Sequence, residues 1–134
     1  MNTFPSTSAE PIIQHILVID DDATMRIFLR RHLEREGYRV SEAEDGEEAM
    51  RRLEKGSADL VIVDIFMPRK DGFETIRELK HRRTPCKILA ISGGGAIGRL
   101  DYLDLARLFG ANAVLPKPIS RDALISTLST LSMA

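Results

Sequence analysis

Five short apolar runs, each followed by a segment of helical periodicity, limit what this chain can fold into. Apolar residues recur every three or four positions between the runs, which indicates amphipathic helices. Strands that alternate with helices are typical of a parallel sheet with right-handed crossovers and helices on both faces. The pattern therefore predicts an α/β fold, a doubly wound five-stranded parallel sheet in a three-layer sandwich. The predicted strands are 15–19, 38–43, 59–63, 86–91 and 113–115.

Composition narrows the class of protein further. The chain has 134 residues, 43% of them hydrophobic, which suits one domain with one buried core. Its 19 basic and 20 acidic residues nearly balance, which argues against a protein that binds nucleic acid mainly by phosphate neutralisation. The lone cysteine, Cys86, excludes an internal disulfide, and no apolar run approaches the roughly 18 residues of a membrane span. We therefore expect a cytoplasmic protein without a nucleic-acid or membrane partner.

Flanking segments and helix boundaries follow from local signals. Residues 1–13 are polar and lack periodicity, which predicts a flexible lead before a domain over 14–134, with no output domain. A helix over 98–109 is predicted to end at Gly110. A charged run along the first helix is predicted to be a solvated face; its members are Arg26, Arg30, Arg31, Glu34, Arg35 and Glu36.

Charged and hydroxyl side chains stand directly after four of the five predicted strands. Asp20 and Asp21 come after the first strand, and Asp64 after the third. Ser92 and three glycines follow the fourth strand, and Lys117 follows the fifth. In a doubly wound sheet, ligands bind outside the carboxyl ends of the strands. These groups are therefore predicted to share one shallow cleft.

The chemistry of these groups points to phosphoryl transfer. Crowded carboxylates repel one another and need a cation, and Mg²⁺ prefers carboxylates, a carbonyl, water and phosphate oxygens. A carboxylate nucleophile, a lysine and a hydroxyl donor complete the set that stabilises a phosphoryl group in transfer. Gly93, next to Ser92, leaves room for a phosphate to approach the backbone N–H.

Four segments resemble motifs of the receiver domains of two-component response regulators. Residues 16–21, Ile-Leu-Val-Ile-Asp-Asp, are similar to the family's opening strand and acidic pair, and residues 61–72 to its phosphorylation strand and following loop. Residues 91–93, Ile-Ser-Gly, and 115–118, Leu-Pro-Lys-Pro, are similar to the ends of its last two strands. The resemblance covers residues 14–132 and implies a flavodoxin-like sheet of strand order 2-1-3-4-5.

The resemblance also implies a stand-alone response regulator, phosphorylated on Asp64 by a sensor histidine kinase or a His-containing phosphotransfer protein. Such a protein signals by contact with a downstream protein target and does not turn over a separate substrate. Ser92 and Lys117 would contact phosphoryl oxygens, and the Lys117–Pro118 peptide bond would be cis. The implied ligands of Mg²⁺, or of Mn²⁺ in its place, are Asp20, Asp21, Asp64 and the backbone carbonyl of Phe66.

Departures from the family's pattern lie around this cleft. Val114 stands where many members carry an aromatic switch residue before the Lys-Pro pair. We therefore expect the glycine-rich loop over 92–98 to take over the switching. Phe66 and Gly94 flank the phosphoryl site and cannot orient an attacking water through a side chain, so slow loss of the phosphoryl group is expected.

Two other functions fit parts of the sequence. Residues 20–24 fit the D-x-D-x-T signature of haloacid-dehalogenase-type phosphatases, in which Asp20 would be the nucleophile and Asp22 the general acid. That function leaves Asp64 unexplained, and the late strand ends in Pro-Lys-Pro where those enzymes need an acidic pair. The second alternative is a pseudo-receiver, which is an interaction module on the same fold without phosphorylation.

Overall fold

A parallel sheet organises the computed structural model, which describes residues 13–67, 70–93, 96–97 and 100–133. The strands are β1 (His15–Ile19), β2 (Arg39–Ala43), β3 (Leu60–Asp64), β4 (Lys87–Ser92), β5 (Ala96–Ile97), β6 (Leu100–Asp101) and β7 (Ala113–Pro116). Five of them form the sheet in the order β2-β1-β3-β4-β7, with every pairing parallel, which confirms the predicted order 2-1-3-4-5. β5 and β6 form a separate antiparallel pair.

Helices cover both faces of this sheet. They are α1 (Ala23–Arg35), α2 (Gly46–Lys55), α3 (Gly72–His81), α4 (Tyr102–Phe109) and α5 (Arg121–Met133). One core layer joins the sheet to α1 and α5 through Leu29, Leu33, Leu124 and Leu128. The other joins it to α2, α3 and α4 through Ala49, Ile76, Leu79 and Ala106. The predicted three-layer sandwich is therefore confirmed.

The central strands are apolar because helices cover them on both sides. All five residues of β3 are buried, and so are the last four of β1 and the last five of β4. The edge strand β2 is mixed, with Arg39 exposed and Ala43 buried. The predicted lead over 1–13 lies outside the described residues, apart from Ile13, which is buried against the α1–α5 layer. The pairing register brings the ends of β1, β3 and β4 to the same edge of the sheet.

The start of α4 differs from the prediction. The sequence predicts a helix over 98–109, but α4 begins at Tyr102 and the pair β5–β6 precedes it. Asp101 is its N-cap: the backbone there is extended, and the carboxylate accepts a hydrogen bond from the Asp104 N–H at 2.7 Å. A capping aspartate fixes a helix start because its own backbone is not helical. The predicted end is confirmed at Gly110, which has a φ of 122°.

Asp71 begins α3 with a reciprocal pair of hydrogen bonds. Its carboxylate accepts from the Glu74 N–H at 2.9 Å, and its own N–H donates to the Glu74 carboxylate at 3.4 Å. Asp71→Ala is expected to lower the free energy of unfolding by about 1 kcal/mol, because this cap is lost. Urea denaturation measures the change. The control Asp122→Ala removes a carboxylate that is 95% exposed and should cost less than about 0.5 kcal/mol. Equal losses in both variants would contradict the prediction.

Candidate functional site

β1 carries two neighbouring aspartates to the carboxyl edge of the sheet. Asp20 is fully buried; its N–H donates to the Ala43 carbonyl at 3.1 Å, and its Oδ1 accepts from the Asp22 N–H at 2.9 Å. Asp21, the next residue, is exposed. Asp22 is the N-cap of α1, because its carboxylate accepts from the Thr24 N–H at 2.9 Å. The three aspartates therefore have different surroundings although they are adjacent in sequence.

Asp64, the last residue of β3, lies beside this pair. Carboxylate oxygens of Asp20, Asp21 and Asp64 lie within 4.8 Å of one another. The Phe66 N–H donates to Asp64 Oδ1 at 3.4 Å, which links the loop after β3 to the same carboxylate. Gly72 approaches from α3: a Cβ there would lie 2.5 Å from the Asp64 carbonyl oxygen. Only glycine allows α3 to begin this close to the end of β3.

Lys117 extends into the cleft from the segment after β7. Its Nζ lies 3.2 Å from Asp20 Oδ2 and 3.4 Å from Asp64 Oδ2. Its backbone N–H donates to the Ser92 carbonyl at 2.7 Å, which ties this segment to the end of β4. Ser92 is fully buried, and the Lys117–Pro118 bond is cis, as the resemblance implies. The structure thus brings together the groups that end β1, β3, β4 and β7.

The charges in the cleft perturb one another. Burial raises the pKa of Asp64 to about 6, and the nearby Asp20 carboxylate adds to the rise, while Lys117 opposes it. Burial alone would lower the pKa of Lys117, but the carboxylates of Asp20 and Asp64 outweigh burial and raise it. Lys117 is therefore charged at neutral pH. Three carboxyl groups face one ammonium, so the cleft is short of positive charge.

This imbalance predicts how stability depends on pH without metal. The folded protein keeps a proton on Asp64 up to about pH 6, whereas the unfolded chain releases it near the ordinary value of 3.8. The stabilisation is complete below about pH 4 and is lost as the pH rises through about 6. Asp64→Asn has no carboxyl group to titrate at this position, so it does not lose stability in this way. Its free energy of unfolding should therefore rise relative to that of the wild type as the pH increases from about 4 to above 6, by about 1–3 kcal/mol.

Urea denaturation of both proteins in EDTA at pH 4, 5, 6 and 7 measures this difference. The comparison of two proteins at each pH cancels the titration of other carboxyl groups. Mg²⁺ at pH 7 should reduce the advantage of Asp64→Asn, because a cation offsets the repulsion that the variant removes. A stability difference that stays constant from pH 4 to pH 7 would contradict the prediction.

The donor set suits a hard divalent cation. Three carboxylates with oxygens within 4.8 Å of one another offer the ligands that Mg²⁺ and Mn²⁺ prefer. The raised pKa of Asp64 indicates a cleft that would gain from an added positive charge. Asp21 is exposed, so one side of the cluster is open to water and phosphate oxygens. The residues present therefore fit a magnesium site.

Comparison with known proteins decides the family. The family model described as the response regulator receiver domain matches residues 16–129. The chain belongs to this family. Receiver domains are modules of two-component systems, and this chain contains the five side chains that the resemblance assigned to the cleft, Asp20, Asp21, Asp64, Ser92 and Lys117. Two findings oppose the phosphatase alternative: the chain belongs to the receiver family, and the Asp22 carboxylate, which a phosphatase would need as a general acid, caps α1.

Named relatives agree with this assignment. The receiver is 37% identical over 117 residues to the response regulator MprA of Mycolicibacterium vanbaalenii, which covers 87% of this chain and 49% of the relative. It is 37% identical over 129 residues to the transcriptional regulatory protein PdtaR of Mycobacterium tuberculosis, which covers 94% of this chain and 60% of the relative. The chain thus spans about half the length of the first of these relatives and somewhat more of the second.

Solved structures show the same fold. A putative response regulator from Chloroflexus aurantiacus superimposes with a TM-score of 0.83 at 27% identity, over 91% of this chain and 99% of that one. The chemotaxis protein CheY4 of Vibrio cholerae gives a TM-score of 0.78 at 26% identity, over 88% and 98% of the two chains. Of the helices in the described part of the receiver, none combines the length and apolar character of a membrane span.

The prediction that the charged run of α1 is a solvated face is wrong for two of its arginines. The Arg26 side chain is only 15% exposed, and it donates from Nη1 to the Asp20 carbonyl at 2.6 Å and from Nε to Glu42 at 2.9 Å. Arg30 donates from Nε to the other Glu42 oxygen at 2.6 Å. Arg31 and Arg35 are exposed as predicted. The overlooked signal is Glu42 in β2, which lies opposite two arginines one helical turn apart.

An aromatic contact joins the cleft to α4, and the sequence did not indicate it. The Phe66 and Tyr102 rings meet edge to face at a centroid distance of 4.4 Å, although Phe66 as a whole residue remains 47% exposed. Val114, in the position of the missing aromatic residue, is half-buried and packs against the layer of α2, α3 and α4. Gly94, Gly95 and Gly98 lie outside the described residues, so the predicted switching role of their loop is not tested.

Proposed function

We propose that this receiver accepts a phosphoryl group on Asp64 from a sensor histidine kinase or a His-containing phosphotransfer protein. The position of Asp64 carries the proposal: its carboxylate lies within 4.8 Å of those of Asp20 and Asp21 and 3.4 Å from Lys117 Nζ. A nucleophile works best beside fixed groups that offset the charge of the incoming phosphoryl oxygens. The cleft offers one such cation and the oxygen ligands for another.

In the proposed reaction, a carboxylate oxygen of Asp64 attacks the phosphorus of a phosphohistidine. The new P–O bond forms on Asp64 while the P–N bond breaks, and the leaving imidazole keeps the electron pair and takes up a proton. Lys117 would pair with one phosphoryl oxygen, and the Ser92 hydroxyl would donate to another. Mg²⁺, or Mn²⁺, supplies charge neutralisation when bound; the proposed ligands are Asp20, Asp21, Asp64 and the Phe66 carbonyl.

The phosphorylated receiver would signal by contact with a downstream protein target. Receivers in general interact with kinases and targets, and this one would promote its own phosphorylation and dephosphorylation without turning over a separate substrate. A receiver domain over 14–134, a cytoplasmic location, and partners other than nucleic acid and membranes belong to the same proposal. The near balance of 19 basic and 20 acidic residues supports a protein partner over nucleic acid.

The alternative within the family is a pseudo-receiver that binds partners without phosphorylation. The complete set of acidic, hydroxyl and lysine groups favours phosphorylation, because an interaction module has no need of a buried, mutually repelling carboxylate pair. Burial and repulsion raise the pKa of Asp64 to about 6, which is a cost to stability at neutral pH. A costly arrangement of this kind is typical of a functional site.

A small-molecule phosphodonor distinguishes a phosphorylated receiver from a pseudo-receiver. The protein is incubated with acetyl phosphate and MgCl₂, and intact mass spectrometry measures the product beside a parallel sample in excess EDTA. The proposal predicts a mass gain of one phosphoryl group that requires the metal. A protein that binds Mg²⁺ and gains no mass with acetyl phosphate or with phosphorylated partner proteins would be a pseudo-receiver.

The phosphoryl group on Asp64 is expected to be long-lived in the isolated protein. Hydrolysis needs a water molecule aligned with the phosphorus, and the Phe66 side chain beside the site has no group that could hold one. Phe66→Gln adds such a group and should shorten the lifetime. The lifetime in both proteins is measured by intact mass spectrometry, from the decay of the phosphorylated species after the donor is removed. A wild-type half-life of seconds would contradict the expectation.

A further inference from the structure

Arg26 is connected to the acidic turn by hydrogen bonds that the phosphorylation chemistry does not use. Its Nη1 donates to the Asp20 carbonyl oxygen at 2.6 Å, and its backbone N–H donates to the Asp22 carbonyl at 3.1 Å. The same residue therefore holds the backbone on both sides of Asp21. The Asp20 carbonyl thus accepts a hydrogen bond from Arg26, while the Asp20 carboxylate lies close to Lys117 and Asp64.

Glu42 fixes the other end of the Arg26 side chain. It accepts from Arg26 Nε at 2.9 Å and from Arg30 Nε at 2.6 Å, one arginine on each oxygen. Burial alone would raise the pKa of Glu42, but the hydrogen bonds from Arg30 and Arg26 outweigh burial and lower it. Glu42 therefore stays ionised and keeps the Arg26 guanidinium in place, since Glu42 itself belongs to β2, next to β1 in the sheet.

We propose that Arg26 is a positioning residue for the magnesium site: it holds the Asp20–Asp21 backbone so that both carboxylates converge with Asp64. This inference rests on the proposed function, because it assigns Arg26 a role toward the metal of that site. Groups that orient metal ligands from outside the coordination shell commonly change metal affinity by about 10–100-fold when they are removed. Arg26 does this through a carbonyl and a glutamate, without touching the metal.

The planar guanidinium suits this role better than an ammonium. It donates in two directions at once, from Nη1 to the turn and from Nε to Glu42. A lysine has one charged nitrogen on a flexible chain and cannot span the same two acceptors with fixed geometry. Charge alone and geometry therefore make different predictions for Arg26→Lys.

Magnesium affinity is the measurement that tests the proposal. MgCl₂ is titrated into the metal-free full chain, followed by amide chemical shifts around Asp21 and by calorimetry. Arg26→Met and Arg26→Lys are expected to raise the dissociation constant about 10–100-fold. Arg30→Met is the matched control, because Arg30 pairs with the same glutamate and directs its side-chain hydrogen bonds to Glu42 and Glu34, whereas Arg26 reaches the Asp20 carbonyl. It should bind within about threefold of the wild type. Glu42→Gln keeps Arg26 and weakens its anchor, so its dissociation constant for Mg²⁺ should lie between those of Arg26→Met and Arg30→Met.

A second readout separates positioning from general damage to the fold. The Mg²⁺ concentration for half-maximal phosphorylation by acetyl phosphate should rise with the dissociation constant in Arg26→Lys, while the rate at saturating Mg²⁺ stays within about threefold of the wild type. Wild-type affinity in Arg26→Lys, or equal losses in Arg26→Met and Arg30→Met, would overturn the proposal. Should Arg26→Met fail to fold, Arg26→Lys and Glu42→Gln decide the matter.

The outcomes also distinguish this inference from the proposed function. A wild-type protein that binds Mg²⁺ but takes up no phosphoryl group overturns the proposed phosphorylation, and the ranking of the affinities still decides the role of Arg26. A wild-type protein that binds no Mg²⁺ at millimolar concentrations overturns both.

Discussion

Asp64→Asn is expected to abolish phosphoryl uptake from acetyl phosphate, with no product above background. An amide has no anionic oxygen to attack phosphorus, while its size and shape preserve the packing around the buried side chain, which is 7% exposed. The variant should fold, because it removes the charge that burial and Asp20 make costly. Intact mass spectrometry with acetyl phosphate and Mg²⁺ measures the loss.

Asp22→Asn is the matched control for this variant. Asp22 lies next to the cluster but caps α1 through the Thr24 N–H, and asparagine caps helices about as well as aspartate. The control should therefore keep both its stability and phosphoryl uptake close to those of the wild type. The phosphatase alternative makes the opposite prediction, because it would lose a general acid at Asp22 and nothing at Asp64. Phosphoryl uptake that survives in Asp64→Asn would contradict the assignment of the nucleophile.

Lys117→Met is expected to slow phosphorylation by acetyl phosphate about 100–1000-fold. The methionine fills similar space without the ammonium that lies 3.4 Å from Asp64 Oδ2 and 3.2 Å from Asp20 Oδ2. A fixed charge in a buried site is worth about this much in rate when it faces oxygens that gain charge in the transition state. The rate of mass gain at saturating Mg²⁺ measures the effect.

Lys55→Met controls for the loss of one positive charge. Lys55 ends α2, at the opposite edge of the sheet from the cleft, so it should leave the rate within about twofold of the wild type. Comparable slowing in the two variants would mean that overall charge matters and that the position of Lys117 does not. Stability measured alongside excludes unfolding as the cause of a lower rate.

The strands could be predicted from sequence because burial dictates residue type, whereas their order came from the resemblance to receiver domains. β1, β3 and β4 are covered on both faces, so they are continuous apolar runs, and the polar residue that ends each run marks the edge of the sheet. The predicted bounds match β1 fully and differ by one residue at an end or both ends for the other strands of the sheet. The candidate site followed, because parallel strands present their carboxyl ends together.

The start of α4 and the contacts between distant segments were harder to predict. The start of α4 depends on whether Asp101 caps the helix, and helical periodicity alone does not reveal this. Arg26 belongs to a charged run that is typical of a solvated face, and only the position of Glu42 on the neighbouring strand shows why it turns inward. The contact between Phe66 and Tyr102 joins segments far apart in sequence, so no local pattern predicts it.

The site of phosphorylation can be located directly. After reaction with acetyl phosphate and Mg²⁺, borohydride reduces the acyl phosphate and so marks the phosphorylated aspartate. Trypsin then separates the candidates: residues 56–69 contain Asp64, and residues 1–26 contain Asp20, Asp21 and Asp22. Fragmentation of the two peptides should place the reduced residue at Asp64 alone, and only in samples that contained Mg²⁺. A reduced residue in the peptide 1–26, or none in either peptide despite a gain of phosphoryl mass, would contradict phosphorylation on Asp64.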